Sequence, residues 1–261
     1  MRYQPSLLYS QEFQALSEKI AASIDQGCGR WKDSGPIELF FRADDVGVPS
    51  RLFADLIALF QHHRLPLCLA VVPSWLTPGR YAGLRAITGS DDSLWCWHQH
   101  GRVHHNFEPT GKKQEFGPAR DYDTVRDQLR LGRKRLRSIL GETLSPFFTP
   151  PWNRCNRETA LALRQLRFKA ISRSLGARPD VSDILPDIQV NVDLHTRKEQ
   201  EPELSLNRLL AELENSLASG RCGIMIHHQR MNSHAVQLLD LLMTHLAKRT
   251  EIIPRLFDDM M

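Results

Sequence analysis

The sequence IELFFRADD occupies residues 37–45, where a mostly apolar run ends in Arg42 and the carboxylate pair Asp44 and Asp45. A short apolar run that ends in charged residues is typical of a buried strand that carries polar groups at its carboxyl end. The stretch SRLFADLIALFQHH at 50–63 follows with apolar residues at helical spacing. Residues 37–63 therefore predict one strand followed by one helix, a β/α unit.

The same pattern recurs along the chain. Further strands are predicted at LCLAVVP (67–73), SLWCWH (93–98), PFFTPP (146–151), KAISRS (169–174), IQVNVDL (188–194) and GIMIHH (223–228). Helices are predicted at 123–141, 157–168 and 205–220, with a last one from about Ser233. About seven β/α units imply an α/β fold with parallel strands, closed as a distorted (β/α)7-type barrel. An open doubly wound sheet is the alternative, although no GxGxxG follows the first strand.

The length of 261 residues favours one large domain preceded by a short extension. Residues 1–36 predict an N-terminal helical extension, whose helix lies near SQEFQALSEKIAASI with Ser10 as its N-cap. The segment after this helix is rich in turn-forming residues up to Pro36. Residues 37–261 then form the α/β domain.

Composition excludes several classes of function. The 34 Lys and Arg residues against 30 Asp and Glu residues give a net charge of only +4, which argues against a nucleic-acid partner. Residues 1–25 contain no apolar run like that of a signal peptide, and no membrane-spanning stretch is found, so we expect a cytoplasmic protein. The five cysteines form no CxxC pair, and Cys68, Cys96 and Cys222 are predicted to be buried thiols.

Polar groups collect after the predicted strands. In parallel α/β folds the carboxyl ends of the strands face a common crevice, where ligands bind. The sequences at these ends are RADD (42–45), HQHGRVHHN (98–106), TPPWNR (149–154), NVDLH (191–195) and IHH (226–228). The strand bodies are almost wholly apolar, so these groups predict a functional site.

His100 and His104 are four positions apart and could present two imidazoles on one side of a helical turn, with Gly101 allowing a sharp bend. A carboxylate from Asp44 or Asp45 would complete a site of two histidines and one carboxylate, which leaves positions open for water and substrate. The second carboxylate could then take a proton from the attacking water. A solvated histidine loop and a helix-capping aspartate pair are the non-functional alternatives.

Together these motifs resemble the polysaccharide deacetylases, the carbohydrate esterases that contain the chitooligosaccharide deacetylase homology domain. The matching features span residues 37–230: the pair Asp44 and Asp45, HxxxH from His100 to His104, TPPWN at 149–153 and IMIH at 224–227. HQHG, EFG and PPWNR are similar to a divergent branch of that family. The resemblance implies that residues 37–261 are a polysaccharide-deacetylase-like catalytic domain.

The resemblance also implies roles. Asp44 would be the general base, while Asp45, His100 and His104 would hold one divalent metal ion, most often zinc in the family. The backbone N–H of Trp152 would stabilise the oxyanion, and His227 would protonate the leaving group. The resemblance places Ile224 against the acetyl methyl group. Apart from the resemblance, Arg120 and Glu115 are candidates for substrate contacts because they lie in the long polar loop at 106–120, and the further candidates are Pro151, Asn153 and His228.

Some assignments stay open, and the sequence departs from the family at one point. Thr149 stands where the family has an arginine that orients the catalytic aspartate; Arg42, Arg120 or Arg154 could replace it, and Asp193 or His195 could join its network. His105 is an alternative to His104, and His228 to His227, since neighbours on a strand point to opposite sides. His98 could support the metal ligands from behind. The loop at 106–120 is expected to line the substrate cleft.

Three functions follow from these features. The first is a metal-dependent hydrolase that removes an N-acetyl or O-acetyl group from a carbohydrate. The second is a catalytically impaired relative that binds a glycan or small ligand in the same crevice, which the absence of the loop arginine suggests. The third is non-heme iron chemistry, which uses the same type of ligand set. For a cytoplasmic enzyme, an acetylated saccharide or a sugar-derived small molecule is a better substrate than a cell-wall polymer.

Overall fold

The computed structural model describes residues 4–261, so residues 1–3 of the predicted extension lie outside the described residues. Helices and strands alternate along most of the chain. The strands are β1 (Ile37–Val46), β2 (Leu67–Val71), β3 (Trp95–His100), β4 (Leu144–Thr149), β5 (Ala170–Ile171), β6 (Val192–Asp193), β7 (Arg221–Ile226) and β8 (Ile252–Pro254). The helices are α1 (Leu16–Arg30), α2 (Arg51–His63), α3 (Pro78–Thr88), α4 (Tyr122–Leu140), α5 (Arg157–Gln165), α6 (Pro202–Ala218) and α7 (Ser233–Leu246).

The strands belong to one eight-stranded sheet with the order β5-β4-β3-β2-β1-β7-β6, and β8 pairs with β1 outside this path. The pairs β1·β7, β1·β8, β3·β4, β4·β5 and β6·β7 are parallel. Read from β6, the order is 6-7-1-2-3-4-5, the cyclic order in which a barrel places successive β/α units. The predicted fold class, α/β with parallel strands of the distorted (β/α)7 type, is confirmed.

The chain divides into two compact units. Among the described residues, the first comprises 4–43, 50–67 and 191–256, and the second comprises 44–49, 68–190 and 257–261. In the first unit β7 lies between β1 and β6, with Ile224 paired to both Phe41 and Val192. Helix α1 packs against α6 and α7 in the same unit.

In the second unit β4 lies between β3 and β5. The carboxyl end of β1 continues into this unit, where the backbone N–H of Val72 donates to the carbonyl of Val46 at 2.8 Å. Residues beyond β5 pair with an extended segment, because Ile171 bridges Asp187 and Ser174 bridges Val190. The strand ends that carry Asp45 and His100 therefore belong to one unit.

Side-chain caps explain where several helices begin. Ser50, Asp121, Asn156 and Asn232 each accept a backbone N–H from the first turn of the helix that follows. Helix α3 was not predicted, although Thr77 followed by Pro78 is a recognisable helix start and Thr77 caps it. The short strand β8 was also not predicted.

The predicted helix start at Ser10 is wrong. Helix α1 begins at Leu16, and Ser10 instead ends a short 3-10 turn, where its hydroxyl donates to the carbonyl of Leu7 at 2.7 Å. Tyr9 explains this, because its ring is buried and its hydroxyl donates to the carbonyl of Leu194 at 2.6 Å. Tertiary contacts of Tyr9 thus hold this segment outside the helix.

The apolar core agrees with the sequence prediction. Cys68, Cys96 and Cys222 are buried free thiols, as expected, and Cys155 is a fourth.

Among residues 4–261, no helix combines the length and the apolar character needed to cross a bilayer.

Candidate metal and active site

Asp45, His100 and His104 bring their ligand atoms together in the second unit. Oδ1 of Asp45 lies 3.2 Å from Nε2 of His100 and 2.9 Å from Nε2 of His104. Ligand atoms of the three residues all lie within 4.8 Å of one another, and this is the one such group of histidine, cysteine or acidic residues in the described chain. Asp45 and His100 are buried and His104 is half-buried. Two imidazoles and one carboxylate are a donor set for an open divalent-metal site.

The two histidines do not share a helical turn, and that prediction is wrong. His100 is the last residue of β3, and the chain then turns through Gly101 and His104, whose φ angles are 58° and 55°. His104 therefore reaches Asp45 from a left-handed backbone conformation. His105, the alternative ligand, is exposed, and its ring lies 5.0 Å from that of Phe107.

Thr149 orients His100 through its backbone. Nδ1 of His100 lies 2.9 Å from the carbonyl oxygen of Thr149, which can only accept a hydrogen bond. The hydroxyl of Thr149 lies 2.9 Å from Nε2 of the buried His98. His98 therefore contacts Thr149, the residue whose carbonyl orients His100. In a neutral His100 the proton thus sits on Nδ1, and the lone pair of Nε2 faces Asp45.

This arrangement fits a cation. Both ring nitrogens of His100 face oxygen acceptors, the carbonyl of Thr149 and the carboxylate of Asp45, while a neutral imidazole has a single proton. A second proton or a metal ion is needed to satisfy both. Burial alone lowers the pKa of His100, but its hydrogen bond to Asp45 and the charges of Asp44 and Asp45 outweigh burial and raise the pKa. The site therefore favours positive charge.

Left-handed backbone is concentrated around this group. Asp45, His104, Trp152 and Asn153 have φ angles of 62°, 55°, 57° and 58°. Non-glycine residues in this region cost about 1–3 kcal/mol each and cluster at functional sites. The surrounding packing must hold these four residues in place.

Trp152 lies in the short 3-10 turn Pro151–Asn153 that follows β4. The centroid of its ring lies 4.7 Å from that of the His104 ring. A second tryptophan, Trp75, has its ring centroid 5.5 Å from that of His104. The N–H groups of Asn153 and Arg154 donate to the carbonyls of Pro150 and Pro151, whereas that of Trp152 donates to no carbonyl within residues 4–261.

Glu115 and Arg120 were predicted as substrate contacts, but the structure gives their side chains internal partners. Glu115 is 0% exposed, and its carboxylate accepts the backbone N–H groups of Arg102, Val103 and His104. Burial raises the pKa of Glu115, and these hydrogen bonds offset that rise only in part. The guanidinium of Arg120 lies 4.1 Å above the ring of Phe107 and donates to the carbonyl of Glu115.

The other candidate arginines also have partners. Arg154 donates to the carbonyl of Lys113 at 3.2 Å, in the second unit. Arg42 is fully buried in β1, and its guanidinium donates to Sδ of Met225 at 3.2 Å, in the first unit. The chain thus keeps a buried arginine two residues before Asp44, itself 2% exposed.

His227 directly follows β7 in the first unit and is half-buried. Its backbone N–H donates to Nδ1 of His195 at 3.2 Å, and burial holds the pKa of His195 well below its usual range. His195 is thus a buried neutral residue that fixes the backbone of His227. The carboxylate of Asp193 accepts the backbone N–H groups of His195 and Thr196, two and three residues further along the chain.

The remaining two candidates in the first unit are buried. Ile224 is 0% exposed within β7, and His228 is 2% exposed, with its ring 5.4 Å from that of Phe53. Of the two adjacent histidines, His227 is therefore the more accessible. Of the candidates in the second unit, Pro151 is buried and Asn153 is half-buried.

Comparison with known proteins finds likeness in structure. No family model matches the chain. No curated protein matches it in sequence. A proposed polysaccharide deacetylase from Mycobacterium smegmatis aligns over 88% of this chain and 90% of its own, with a TM-score of 0.66 and 14% identity.

Two further structures share the fold. A family 4 acetyl xylan esterase from Clostridium thermocellum, in complex with a cobalt ion, covers 83% of this chain and 87% of its own, with a TM-score of 0.51 and 14% identity. A family 4 pseudoenzyme from Bacillus anthracis covers 84% of this chain and 63% of its own, with a TM-score of 0.54 and 15% identity. The predicted resemblance is confirmed at the level of the fold.

Proposed function

We propose that this chain, which has the fold of the family 4 carbohydrate esterases and polysaccharide deacetylases, is a metal-dependent hydrolase that removes an N-acetyl or O-acetyl group from a carbohydrate. The observation that carries the proposal is the convergence of Asp45, His100 and His104, with Nδ1 of His100 donating to Thr149 so that Nε2 is directed at Asp45. A similar esterase in complex with a cobalt ion supports the proposal that a protein of this fold holds a metal ion. We propose zinc as the resident ion.

The residues divide the chemistry as follows. A bound divalent ion supplies a Lewis acid that acidifies water and polarises an acyl carbonyl. Asp44 adjoins the ligand Asp45 and takes the proton of the attacking water as general base. The N–H of Trp152, which donates to no carbonyl in the described chain, donates to the developing oxyanion. His227 protonates the leaving group, and the N–H···Nδ1 contact with His195 holds its backbone.

Substrate selection is assigned to residues around these groups. Asn153 and Arg120, which are half-buried, lie on the loops that carry Trp152 and His104, whereas the buried Pro151, Ile224 and His228 are assigned no substrate contact. We propose an acetylated saccharide or a sugar-derived small molecule as substrate. Residues 37–261 would form the catalytic domain and residues 1–36 its helical extension.

The test begins with metal content. Elemental mass spectrometry of the wild-type protein should find one divalent ion per chain, and the amount of ion retained through purification should be much lower in Asp45→Ala, His100→Ala and His104→Ala. His105→Ala is the matched control, because His105 is exposed and faces Phe107 rather than Asp45. The metal-loaded protein should then release acetate from a panel of acetylated sugars, and Asp44→Asn should retain the ion but release no acetate. Metal bound equally by the three alanine variants would refute the proposed site.

A second candidate function is a catalytically impaired relative that binds a glycan. Thr149 in place of the loop arginine favours it, and a pseudoenzyme is among the proteins of this fold. Its signature would be sugar binding, measured by calorimetry, with no acetate release by the metal-loaded wild type. Acetate release that disappears in Asp44→Asn would exclude it.

A further inference from the structure

The turn that follows β3 encloses a buried carboxylate. Oε1 of Glu115 accepts the N–H groups of Arg102 and Val103 at 3.0 and 2.8 Å, and Oε2 accepts that of His104 at 3.0 Å. Three successive N–H groups directed at one anion form a nest, the arrangement that loops use to bind phosphates. Here the anion is a side chain of the same protein.

Glu115 also packs against the turn itself. A Cβ atom built on Gly101 would collide with Oε2 of Glu115 and with Cγ of Pro151, so these three residues are in close contact. Pro151 begins the turn that carries Trp152, whose ring contacts that of His104. The Glu115 side chain therefore lies where the metal-ligand turn and the Trp152 turn meet.

The turn needs such support because of its backbone. His104 has a φ angle of 55°, in a region that residues other than glycine rarely occupy. Such conformations persist where surrounding contacts over-determine them. Glu115 supplies such contacts. It accepts the N–H of His104, the strained residue itself, and the N–H groups of the two residues before it.

We propose that Glu115 is a positioning residue that holds the turn at residues 102–104 so that Nε2 of His104 faces the metal site. The inference rests on the proposed divalent ion. It assigns Glu115 to the support of the metal ligand His104 and not to contact with the substrate. A substrate contact would need an exposed carboxylate, whereas Glu115 is 0% exposed and both its oxygens accept backbone N–H groups.

The test measures metal binding, which does not depend on knowing the substrate. Co²⁺ affinity of the full chain, determined by competition with a chelator, should fall about 10- to 100-fold in Glu115→Ala, the usual effect of losing the group that supports a ligand. Glu115→Gln should show a smaller loss, because its amide keeps one acceptor oxygen. Glu108→Gln is the matched control: Glu108 belongs to the same loop, but its carboxylate accepts the N–H of Ala119 and none from residues 102–104.

Two readouts separate positioning from general loss of stability. The visible absorption of bound Co²⁺ should change in the Glu115 variants toward that of His104→Ala, which lacks the ligand. In the His104→Ala background, Glu115→Gln should cause no further loss of affinity, because Glu115 acts through His104. Circular dichroism checks that each variant is folded. If Glu115→Ala does not fold, the Co²⁺ affinity and absorption of Glu115→Gln test the inference.

Folded Glu115 variants that bind Co²⁺ as tightly as the wild type would overturn the inference and leave the metal site standing. Equal losses in the wild-type and His104→Ala backgrounds would also overturn it. A wild type that binds no Co²⁺ would overturn both this inference and the proposed metal dependence.

Discussion

Nδ1 of His100 donates a hydrogen bond to the backbone carbonyl of Thr149 at 2.9 Å. Thr149 thus contacts a metal-ligand candidate through its backbone carbonyl, an atom that every amino acid possesses. The identity of the Thr149 side chain should therefore matter little for metal binding, whereas the path of β4 beside β3 should matter greatly. The paired positions His100 and Thr149 in the two strands set this contact.

Thr149→Val tests the role of this backbone contact. The variant keeps the carbonyl that accepts from His100 but removes the hydroxyl beside Nε2 of His98, 2.9 Å away. We expect unchanged Co²⁺ affinity and a loss of about 1–3 kcal/mol in the free energy of unfolding, because a buried polar atom loses its partner. Chemical denaturation and chelator competition measure the two quantities. A large loss of metal affinity would mean that the side chain, not the backbone, orients His100.

Gly101→Ala should damage both stability and metal binding. Gly101 has a φ angle of 58°, and an added Cβ would collide with Glu115 and Pro151. We expect a loss of about 1–3 kcal/mol from overpacking, added to about 1–2 kcal/mol from the left-handed backbone. Gly111→Ala is the control, since its φ angle is 79° but nothing lies within 4 Å of the added Cβ. It should show the backbone cost alone and normal metal affinity; equal effects of both variants would contradict the close contact.

Asp187→Asn should strongly destabilise the second unit. The Arg173 guanidinium and the Asp187 carboxylate are 2.8 Å apart, with side-chain exposures of 0% and 3%. Breaking a buried pair costs about 3–5 kcal/mol, because it leaves a buried charge without compensation. The exposed pair Arg157 and Asp183 provides the control, for which Asp183→Asn should change the free energy of unfolding little, because water and salt screen an exposed ion pair. Similar unfolding free energies for the two variants would show that the Arg173 site tolerates an unpaired charge.

Stability should fall in mild acid because of His195. Burial keeps its pKa in the folded protein well below the ordinary value, so below about pH 6.5 the unfolded state binds a proton that the folded state does not. Stability is therefore lost as the pH falls, by up to about 1.4 kcal/mol per pH unit until the folded pKa is reached. His195→Asn keeps an acceptor for the His227 N–H and removes this titration.

Urea denaturation at about pH 7.5 and about pH 5.5 measures the effect. The loss of stability between the two conditions should be smaller in His195→Asn than in the wild type. His105→Asn, at an exposed position, should keep the wild-type difference. An equal difference in the wild type and His195→Asn would show that His195 does not titrate differently in the folded and unfolded states.

The strands and the cluster of Asp45, His100 and His104 were predictable because each rests on a local signal. Apolar runs such as IELFF and the capped helices that follow them reflect burial and backbone hydrogen bonding over a few residues. The structure brings together Asp45, His100 and His104, which were singled out because parallel strands present their carboxyl ends at one edge of a sheet. The predictions for Ser10 and for the helical HxxxH turn failed where a distant contact or a left-handed residue overrode the local pattern.

Glu115 shows what the sequence left open. Its place in a long polar loop predicted a substrate contact, and only the folded chain reveals three backbone N–H groups around its carboxylate. The sequence also left open whether His104 or His105 faces Asp45, because that depends on the left-handed backbone of His104 and on the contacts that hold it.

The sequence by itself determined the parallel α/β architecture, the strand ends that carry chemistry and the residue types of the metal group, because periodicity and strand polarity are local properties of the chain. The tertiary structure decided which imidazole faces Asp45, which carbonyl orients His100 and where Glu115 is buried. These are relations between residues that the chain separates and the packed sheet brings within hydrogen-bond distance, and their geometry depends on the whole set of contacts around them.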